Sequence, residues 1–310
     1  MSPKHAVLFL SFFLFRSLLY AQDSSVNQLD EVVVTANKFE QKQSTTGKVI
    51  TVINKELIEK SSGKTLTQLL NEQAGIVING ALNNQGTVQT VYTRGASSGR
   101  TLILLDGIPV NDPSAINNEF DLNLLALSNI ERIEICKGAQ STLYGSDAVA
   151  GVINIITTKQ NVSKPFNGTA TVNAGNYNAL KGNAQLYGKA GKFNYTARYG
   201  RIYTGGFSAA KDTTNGTNGK FDNDMYNGEI TNAQVTYQAT NALMLRTFVL
   251  YSRYKTGIDY SGFTDDKDFF VNNQNFLTGA GFRYQKKVFS IAGNYQYSEL
   301  RRHFINDSLD

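Results

Sequence analysis

The chain has 310 residues with 11% aromatic residues, 27 glycines and only 4 prolines, which favours strands joined by polar turns over a helical bundle or a disordered chain. The net charge is +5, and no run of Lys and Arg is long enough to follow a phosphate backbone, so no nucleic-acid partner is expected. One cysteine and two histidines exclude a disulfide framework and a Cys/His zinc site.

The first 21 residues have the pattern of a signal peptide. Lys4 precedes an apolar run over residues 6–15, and Ala21 comes directly before polar Gln22. The pattern predicts export, with cleavage after Ala21. The run is shorter than the ~20 apolar residues of a membrane-spanning helix. No later segment reaches that length, so any membrane insertion must use β-strands.

Residues 22–45 are polar apart from one β-prone stretch at 31–36. It could be an edge strand of the domain that follows, or an exposed peptide that pairs with the sheet edge of a partner. An isolated apolar strand near a terminus is an aggregation hazard unless a partner uses it. The residues of the stretch are Glu31, Val32, Val33, Val34, Thr35 and Ala36.

Short strands and helices are mixed between residues 46 and 160. Strands are expected at 48–53, 75–78, 88–93, 101–105, 130–136 and 151–157, and helices at 55–60, 65–71 and 122–127. Asn54 is a suitable cap for the first helix. Cys136 alternates with Ile133 and Ile135 in a strand, so we expect a packing role for it rather than a nucleophilic one. The pattern predicts one compact α+β domain.

Six short motifs follow one another along this region. They lie at 36–41, 93–95, 105–107, 130–134, 143–148 and 151–157. Together they resemble the plug domain of TonB-dependent outer-membrane receptors. Within that family, the amino-acid sequence of these motifs is most similar to that of the cobalamin receptors. Residues 31–36 fall where the family keeps its TonB box. The resemblance therefore implies TonB as a partner, bound by strand addition.

The second half alternates apolar and polar residues. In residues 193–200, Phe193, Tyr195 and Tyr199 share one face and Arg198 lies on the other. A transmembrane barrel, with lipid outside and water inside, has this pattern, and so has a soluble sandwich. Export and the plug resemblance favour the barrel. Seven strands are predicted, at 166–175, 178–188, 192–204, 226–239, 242–255, 275–286 and 288–302.

The predicted fold class is an α+β plug domain followed by an incomplete antiparallel transmembrane β-barrel. Barrels of such receptors have about 22 strands, and seven cannot close around a plug without leaving an edge in lipid, so the chain looks truncated. The expected organisation is a signal peptide at 1–21, a periplasmic segment with the TonB box at 22–45, the plug at 46–160 and the N-terminal part of the barrel at 165–310.

Two long polar loops, at 205–225 and 256–274, are expected on the extracellular side. They contain Asp222, Asp224 and Asp259, whose hard oxygen ligands would suit Ca²⁺. The spacing is not that of an EF-hand, and solvated loops often have this composition. The resemblance adds that cobalamin receptors keep a similar Asp-Asn-Asp in a calcium site of this loop, which implies that Asp222 and Asp224 are calcium ligands.

The resemblance also implies a ligand site on the plug loops that face the cell exterior. Their composition is equally typical of solvated loops. The expected ligand contacts are Leu82, Asn83, Asn84, Gln85, Pro113, Ser114, Asn117 and Asn118. Arg94 is expected to form a buried ion pair between the plug and the barrel wall, for which Arg is better suited than Lys, and its alternative is a plain surface charge.

No constellation of nucleophile, base and metal ligand is visible in the sequence, so we expect a transport protein rather than an enzyme. The predicted function is the energy-coupled uptake of cobalamin or a related corrinoid across the lipid of a Gram-negative outer membrane. The alternatives are a ferric-siderophore or other metal-chelate receptor of the same family, and a passive surface-binding barrel. A working TonB box separates transport from passive binding.

Overall fold

The structure is a computed structural model that describes residues 33–34, 41–42, 46–112, 115–157, 162–211, 221–287 and 289–306. The predicted signal peptide lies outside the described residues, and so do Glu31, Val32, Thr35, Ala36, Pro113 and Ser114. Among the described residues, no helix has the length and hydropathy to cross a membrane.

The first half forms a mixed α+β domain around a five-stranded sheet. The sheet order is β3-β8-β9-β6-β7, in which only the β6–β9 pair is parallel. The strands are β1 Val33–Val34, β2 Gln41–Lys42, β3 Val49–Ile53, β4 Ile76–Asn79, β5 Thr90–Thr93, β6 Thr101–Leu105, β7 Ile108–Val110, β8 Arg132–Lys137 and β9 Gly151–Ile156. β1 pairs with β2, and β4 with β5, in separate two-stranded ladders.

Capping side chains begin the two six-residue helices of this domain. They are α1 at Lys55–Lys60 and α2 at Leu66–Asn71, and a one-turn helix α3 follows at Ser141–Tyr144. The Asn54 side chain accepts a hydrogen bond from Leu57 N–H, as predicted, and Thr65 and Gln68 form a capping box at α2. The predicted helix at 122–127 is instead two 3₁₀ turns, Leu122–Leu124 and Leu127–Asn129.

The second half is one antiparallel sheet in which each strand pairs with the next along the chain. The strands are β10 Asn167–Gly175, β11 Ala179–Ala190, β12 Phe193–Thr204, β13 Tyr226–Gln238, β14 Leu243–Gly257, β15 Phe270–Lys286 and β16 Phe289–Ile305. The predicted number of strands is confirmed. The sheet does not close, because β10 and β16 stand at its two edges. β15 begins at Phe270 rather than at the predicted residue 275.

We call this seven-stranded sheet the wall. The α+β domain packs against one of its two faces. Tyr226, Ile230, Leu250, Tyr254 and Leu277 of the wall belong to the same buried apolar cluster as the core of the α+β domain. On β12, alternate residues such as Tyr199 and Tyr203 are exposed, while Arg198 is buried on the side of the domain. The predicted alternation therefore holds, with one face exposed and one face covered by the plug-like domain.

Candidate functional site

The two long loops leave the wall at the same end. Loop 205–225 joins β12 to β13, and loop 258–269 joins β14 to β15, whereas β11–β12 and β13–β14 are joined by tight turns at the opposite end. We call this the long-loop end. Gly205 N–H donates to Tyr177 O at 2.7 Å, so the short β10–β11 turn lies beside the first long loop.

Three carboxylates from the two long loops come together at the long-loop end. One oxygen from each of Asp222, Asp259 and Asp265 lies within 4.8 Å of the others. Asp222 N–H donates to Asp265 Oδ1 at 3.0 Å, and Ala210 N–H donates to Asp259 Oδ2 at 2.5 Å. Two of the predicted cation ligands, Asp222 and Asp259, are therefore neighbours in space. Asp265 was missed, although it lies in the loop that the sequence predicted.

Asp224, the third predicted ligand, lies beside this cluster and not within it. Its side chain is buried, and its Oδ2 accepts hydrogen bonds from Ala209 N–H at 2.6 Å and from Asn84 Nδ2 at 3.4 Å. The carboxylate thus holds the backbone of its own loop and one residue of the plug-like domain. The prediction of Asp224 as a cation ligand stays a prediction, because these two bonds occupy only its Oδ2.

Burial and mutual repulsion raise the pKa values of two of these carboxyl groups, Asp222 and Asp224. Burial first, and then the neighbouring Asp265 and Asp259, raise the pKa of Asp222 to about 6. Burial also raises the pKa of Asp224 to about 7, with Asp259 and Asp222 adding to the effect against the opposing hydrogen bond from Ala209. Asp222 Oδ1 is buried and accepts no hydrogen bond from the described residues. A hard divalent cation would supply the missing positive charge and the missing partner, so these residues fit Ca²⁺.

The plug loop at 82–87 reaches the long-loop end. Leu82 is 76% exposed and Asn83 is exposed as well, so both are accessible to a ligand. Asn84 is only 4% exposed, because its carboxamide bonds to Phe207 and Asp224 of the first long loop. The backbone carbonyl of the half-buried Gln85 accepts from Thr256 Oγ1 at 2.9 Å. The Asn84 side chain therefore fastens this loop to the first long loop, and its predicted ligand contact stays a prediction.

The second predicted ligand loop is also near this end. Asn117 and Asn118 are exposed and adopt positive φ angles of 65° and 57°. Asn117 Nδ2 donates to Ser98 Oγ at 3.1 Å, which steadies the loop. At the start of this loop, Asp112 is fully buried and forms an ion pair with Arg302 of β16 at 3.1 Å. The loop is therefore tied to the wall while its two asparagines stay accessible.

Arg94 is exposed and has no ion pair with the described residues of the wall. It adopts a φ of +52° in the tight turn after β5, and its side chain stays over the plug sheet beside Gly75 and Gly138. Among the described residues, Asp112 and Arg302 form an ion pair between the plug-like domain and the wall, whereas the predicted ion pair at Arg94 stays a prediction.

A second carboxylate also ties the domain to the wall. Asp121 Oδ2 accepts from Tyr254 O–H at 2.5 Å and from Asn273 Nδ2 at 2.8 Å. Its Oδ1 accepts from the backbone N–H and from the side-chain amide of Asn123, both at 2.9 Å. Tyr226 O–H donates to Asn123 O at 3.2 Å. No sequence signal singled out Asp121, because its partners are far away along the chain.

Comparisons with known proteins agree with this architecture. Residues 42–152 match the family described as "TonB-dependent Receptor Plug Domain". The ferripyoverdine receptor of the outer membrane of Pseudomonas aeruginosa superposes with a TM-score of 0.69 at 14% identity, over 88% of this chain and 37% of that one. The ferric yersiniabactin uptake receptor FyuA from Yersinia pestis gives a TM-score of 0.63 at 16% identity, over 86% and 43%. The resemblance to TonB-dependent receptors and the predicted fold class are confirmed.

Two curated relatives share more sequence identity with the chain than these solved structures do. The chain is 40% identical over 140 residues to "Vitamin B12 transporter BtuB" of Vibrio cholerae, which covers 44% of this chain and 22% of the relative. It is 38% identical over 160 residues to the protein of the same name in Photobacterium profundum, over 51% of this chain and 25% of the relative. The chain thus matches about a quarter of the length of these relatives, and the proteins matched are transporters and receptors.

Proposed function

We propose that the chain acts in a TonB-dependent outer-membrane receptor for the energy-coupled uptake of cobalamin or a related corrinoid. The observation that carries the proposal is the 38–40% identity to vitamin B12 transporters over 140–160 residues. The two solved receptors for iron chelates described above are only 14% and 16% identical to the chain, so they support the fold and not the ligand.

The ligand would bind where the plug loops meet the long-loop end. Leu82 offers an apolar contact, and the exposed amides of Asn83, Asn117 and Asn118 offer donors and acceptors to a bulky polar ligand. Binding there would favour the population in which residues 31–36 pair with TonB. In the described residues, Val33–Val34 pairs with Gln41–Lys42, so strand addition by TonB would use or replace a ladder of two residues.

We also propose that Asp222, Asp259 and Asp265 hold a Ca²⁺ ion that fixes the two long loops against each other. Ca²⁺ takes about 6–8 oxygen ligands, so backbone carbonyls and water would complete the site. The ion would neutralise the carboxylates whose repulsion raises the pKa of Asp222.

The test is equilibrium dialysis of the purified protein with radiolabelled cyanocobalamin, with ferric enterobactin as competitor. We expect saturable binding of cyanocobalamin that the ferric chelate does not displace. Saturable binding of the ferric chelate without binding of cyanocobalamin would move the function to siderophore uptake. Uptake into cells that is equal with and without TonB would instead indicate a passive barrel.

A further inference from the structure

Asn84 joins the plug to both stems of the first long loop. Its Nδ2 donates to Phe207 O, and Phe207 N–H donates back to Asn84 Oδ1 at 3.4 Å, so the carboxamide pairs with both backbone polar groups of one residue, as a neighbouring strand would. The same Nδ2 lies 3.4 Å from Asp224 Oδ2. Phe207 follows the end of β12 and Asp224 precedes the start of β13. One buried side chain therefore bridges the outgoing and the returning stem.

The next two residues join the plug to the stem of the second long loop. Thr256 Oγ1, near the end of β14, donates to Gln85 O at 2.9 Å. Gly86 has a φ of +95°, and a Cβ placed on it would lie 2.6 Å from Thr256 Cβ, so only glycine allows this close approach. Gly86 N–H donates to Asn123 Oδ1 at 3.2 Å, which anchors the turn in the plug.

Residues 84–86 therefore form a turn that contacts the stems of both long loops. These are the loops that bring Asp222 together with Asp259 and Asp265. Any change in the separation of the two loops must move the turn or break the bonds of Asn84 and Thr256. The exposed Leu82 and Asn83 lie only two residues and one residue before Asn84, so they move with it.

We propose that Asn84 is a positioning residue that transmits the arrangement of the two long loops to Leu82 and Asn83, the plug residues that face the ligand. The inference deepens the proposed function and rests on it for the identity of the ligand. Coupling of this kind is reciprocal, so a ligand on the plug loop would also change the long loops. In this arrangement Asn84 acts on the ligand through Leu82 and Asn83, because its own side chain is 4% exposed.

The first experiment needs no ligand. Hydrogen–deuterium exchange is measured on the full chain for wild type, Asn84→Ala, Thr256→Val and Asn79→Ala, an exposed asparagine of β4 that serves as the matched control. Loss of buried hydrogen bonds should speed exchange about tenfold in residues 80–90. In Asn84→Ala the faster exchange should extend to loop 258–269, which Asn84 does not contact. Thr256→Val keeps the side-chain volume and should likewise speed exchange in loop 205–225.

A change confined to loop 205–225 in Asn84→Ala, or equal changes in Asn79→Ala, would overturn the inference.

The second experiment measures the ratio of cyanocobalamin dissociation constants without and with Ca²⁺. We expect the ratio to lie in the range of about 5–150 for wild type and to fall towards one in Asn84→Ala, with Ca²⁺ still protecting the long loops from exchange. A merely structural residue would weaken binding equally in both conditions and keep the ratio.

The two proposals fail in different ways. If cyanocobalamin does not bind to wild type, the proposed function is overturned, and the ligand-free exchange still decides the role of Asn84. If cyanocobalamin binds and the ratio in Asn84→Ala stays at the wild-type value, the proposed function stands and the positioning role is overturned. A Ca²⁺ titration that changes neither exchange nor affinity in wild type overturns the transmission from the long loops.

Discussion

Replacing Asp121 by Ala should destabilise the plug more than any exposed substitution on the same domain. Asp121 accepts four hydrogen bonds, two of them from Tyr254 and Asn273 of the wall and two from Asn123. Tyr254 is 5% exposed and Asn273 is fully buried, so water does not readily replace the carboxylate. The remaining partners bond each other at 3.3 Å, which recovers part of the loss.

The magnitude follows from these partners. Each buried donor left without its acceptor costs about 1–3 kcal/mol, and the loss of the bond that caps the 3₁₀ turn at Leu122–Leu124 costs about 1 kcal/mol more. We expect the free energy of unfolding of the plug to fall by about 3–5 kcal/mol in Asp121→Ala, because Tyr254 and Asn273 keep their mutual bond. A loss of this size is a large part of the ~5–15 kcal/mol that stabilises a typical domain.

The assay is pulse proteolysis of the plug at increasing urea concentration, with the protein in detergent micelles. Asp147→Ala, at an exposed position of the same domain, is the control and should change the free energy by no more than about 0.5 kcal/mol. Tyr254→Phe completes a double-mutant cycle, in which we expect a coupling energy of about 1.5–3 kcal/mol with Asp121→Ala. A loss below about 1 kcal/mol, or strictly additive effects, would refute the interpretation of a buried plug–wall tie.

Three further predictions follow from the proposed receptor and its cation site. Val33→Pro should abolish TonB-dependent uptake and leave ligand binding intact, because Pro removes a ladder donor; uptake in this variant equal to that of Val33→Ala would exclude a coupling role. Asp265→Asn should weaken Ca²⁺ binding about tenfold or more by isothermal titration, whereas Asp266→Asn, next to it, should leave the affinity within about twofold. The raised pKa values of Asp222 and Asp224 mean that the metal-free loops bind protons more tightly than the unfolded chain. The metal-free loops should therefore be most resistant to proteolysis below about pH 4 and lose resistance as the pH rises through about 6 to 7. Their Ca²⁺ affinity should rise over the same interval. The opposite trends would contradict the proposed cation site.

The strand pattern of the wall could be predicted because its alternation reflects burial on one face and exposure on the other. The start of β15 could not be predicted in this way. Residues 270–274 are mostly polar, yet they are paired on both sides, by β14 up to Gly257 and by β16 up to Ile305. The Lys255 ammonium also lies 3.8 Å from the centre of the Phe270 ring. Such pairing depends on the neighbouring strands, and local propensity does not show it.

The site could be predicted only in part, for a related reason. Asp222 and Asp259 do lie close together, but sequence composition did not distinguish Asp224, which accepts a bond from the Ala209 amide, from Asp265, which lies within the cluster. Asn83 and Asn84 are identical neighbours in the sequence. One is exposed and the other is 4% exposed, because the turn directs only the second towards Phe207. Burial of a loop residue is a property of the assembled structure.

The contacts between plug and wall are of two kinds with different consequences for movement. The apolar side chains of Ile230, Leu250 and Leu277 form one cluster with the core of the plug, and their separation would expose apolar surface to water at about 25 cal/mol per Å². The polar ties at Asp112 and Asn84 are different, because each consists of a few hydrogen bonds with a net contribution of about 0.5–3 kcal/mol apiece. A rearrangement driven by a ligand of ordinary affinity would therefore keep the apolar contact and exchange the polar ties, which hold the two loops that face the ligand. The polar ties at Asn84 and Asp112 are therefore the contacts expected to exchange, while the apolar contact keeps the plug sheet on the wall.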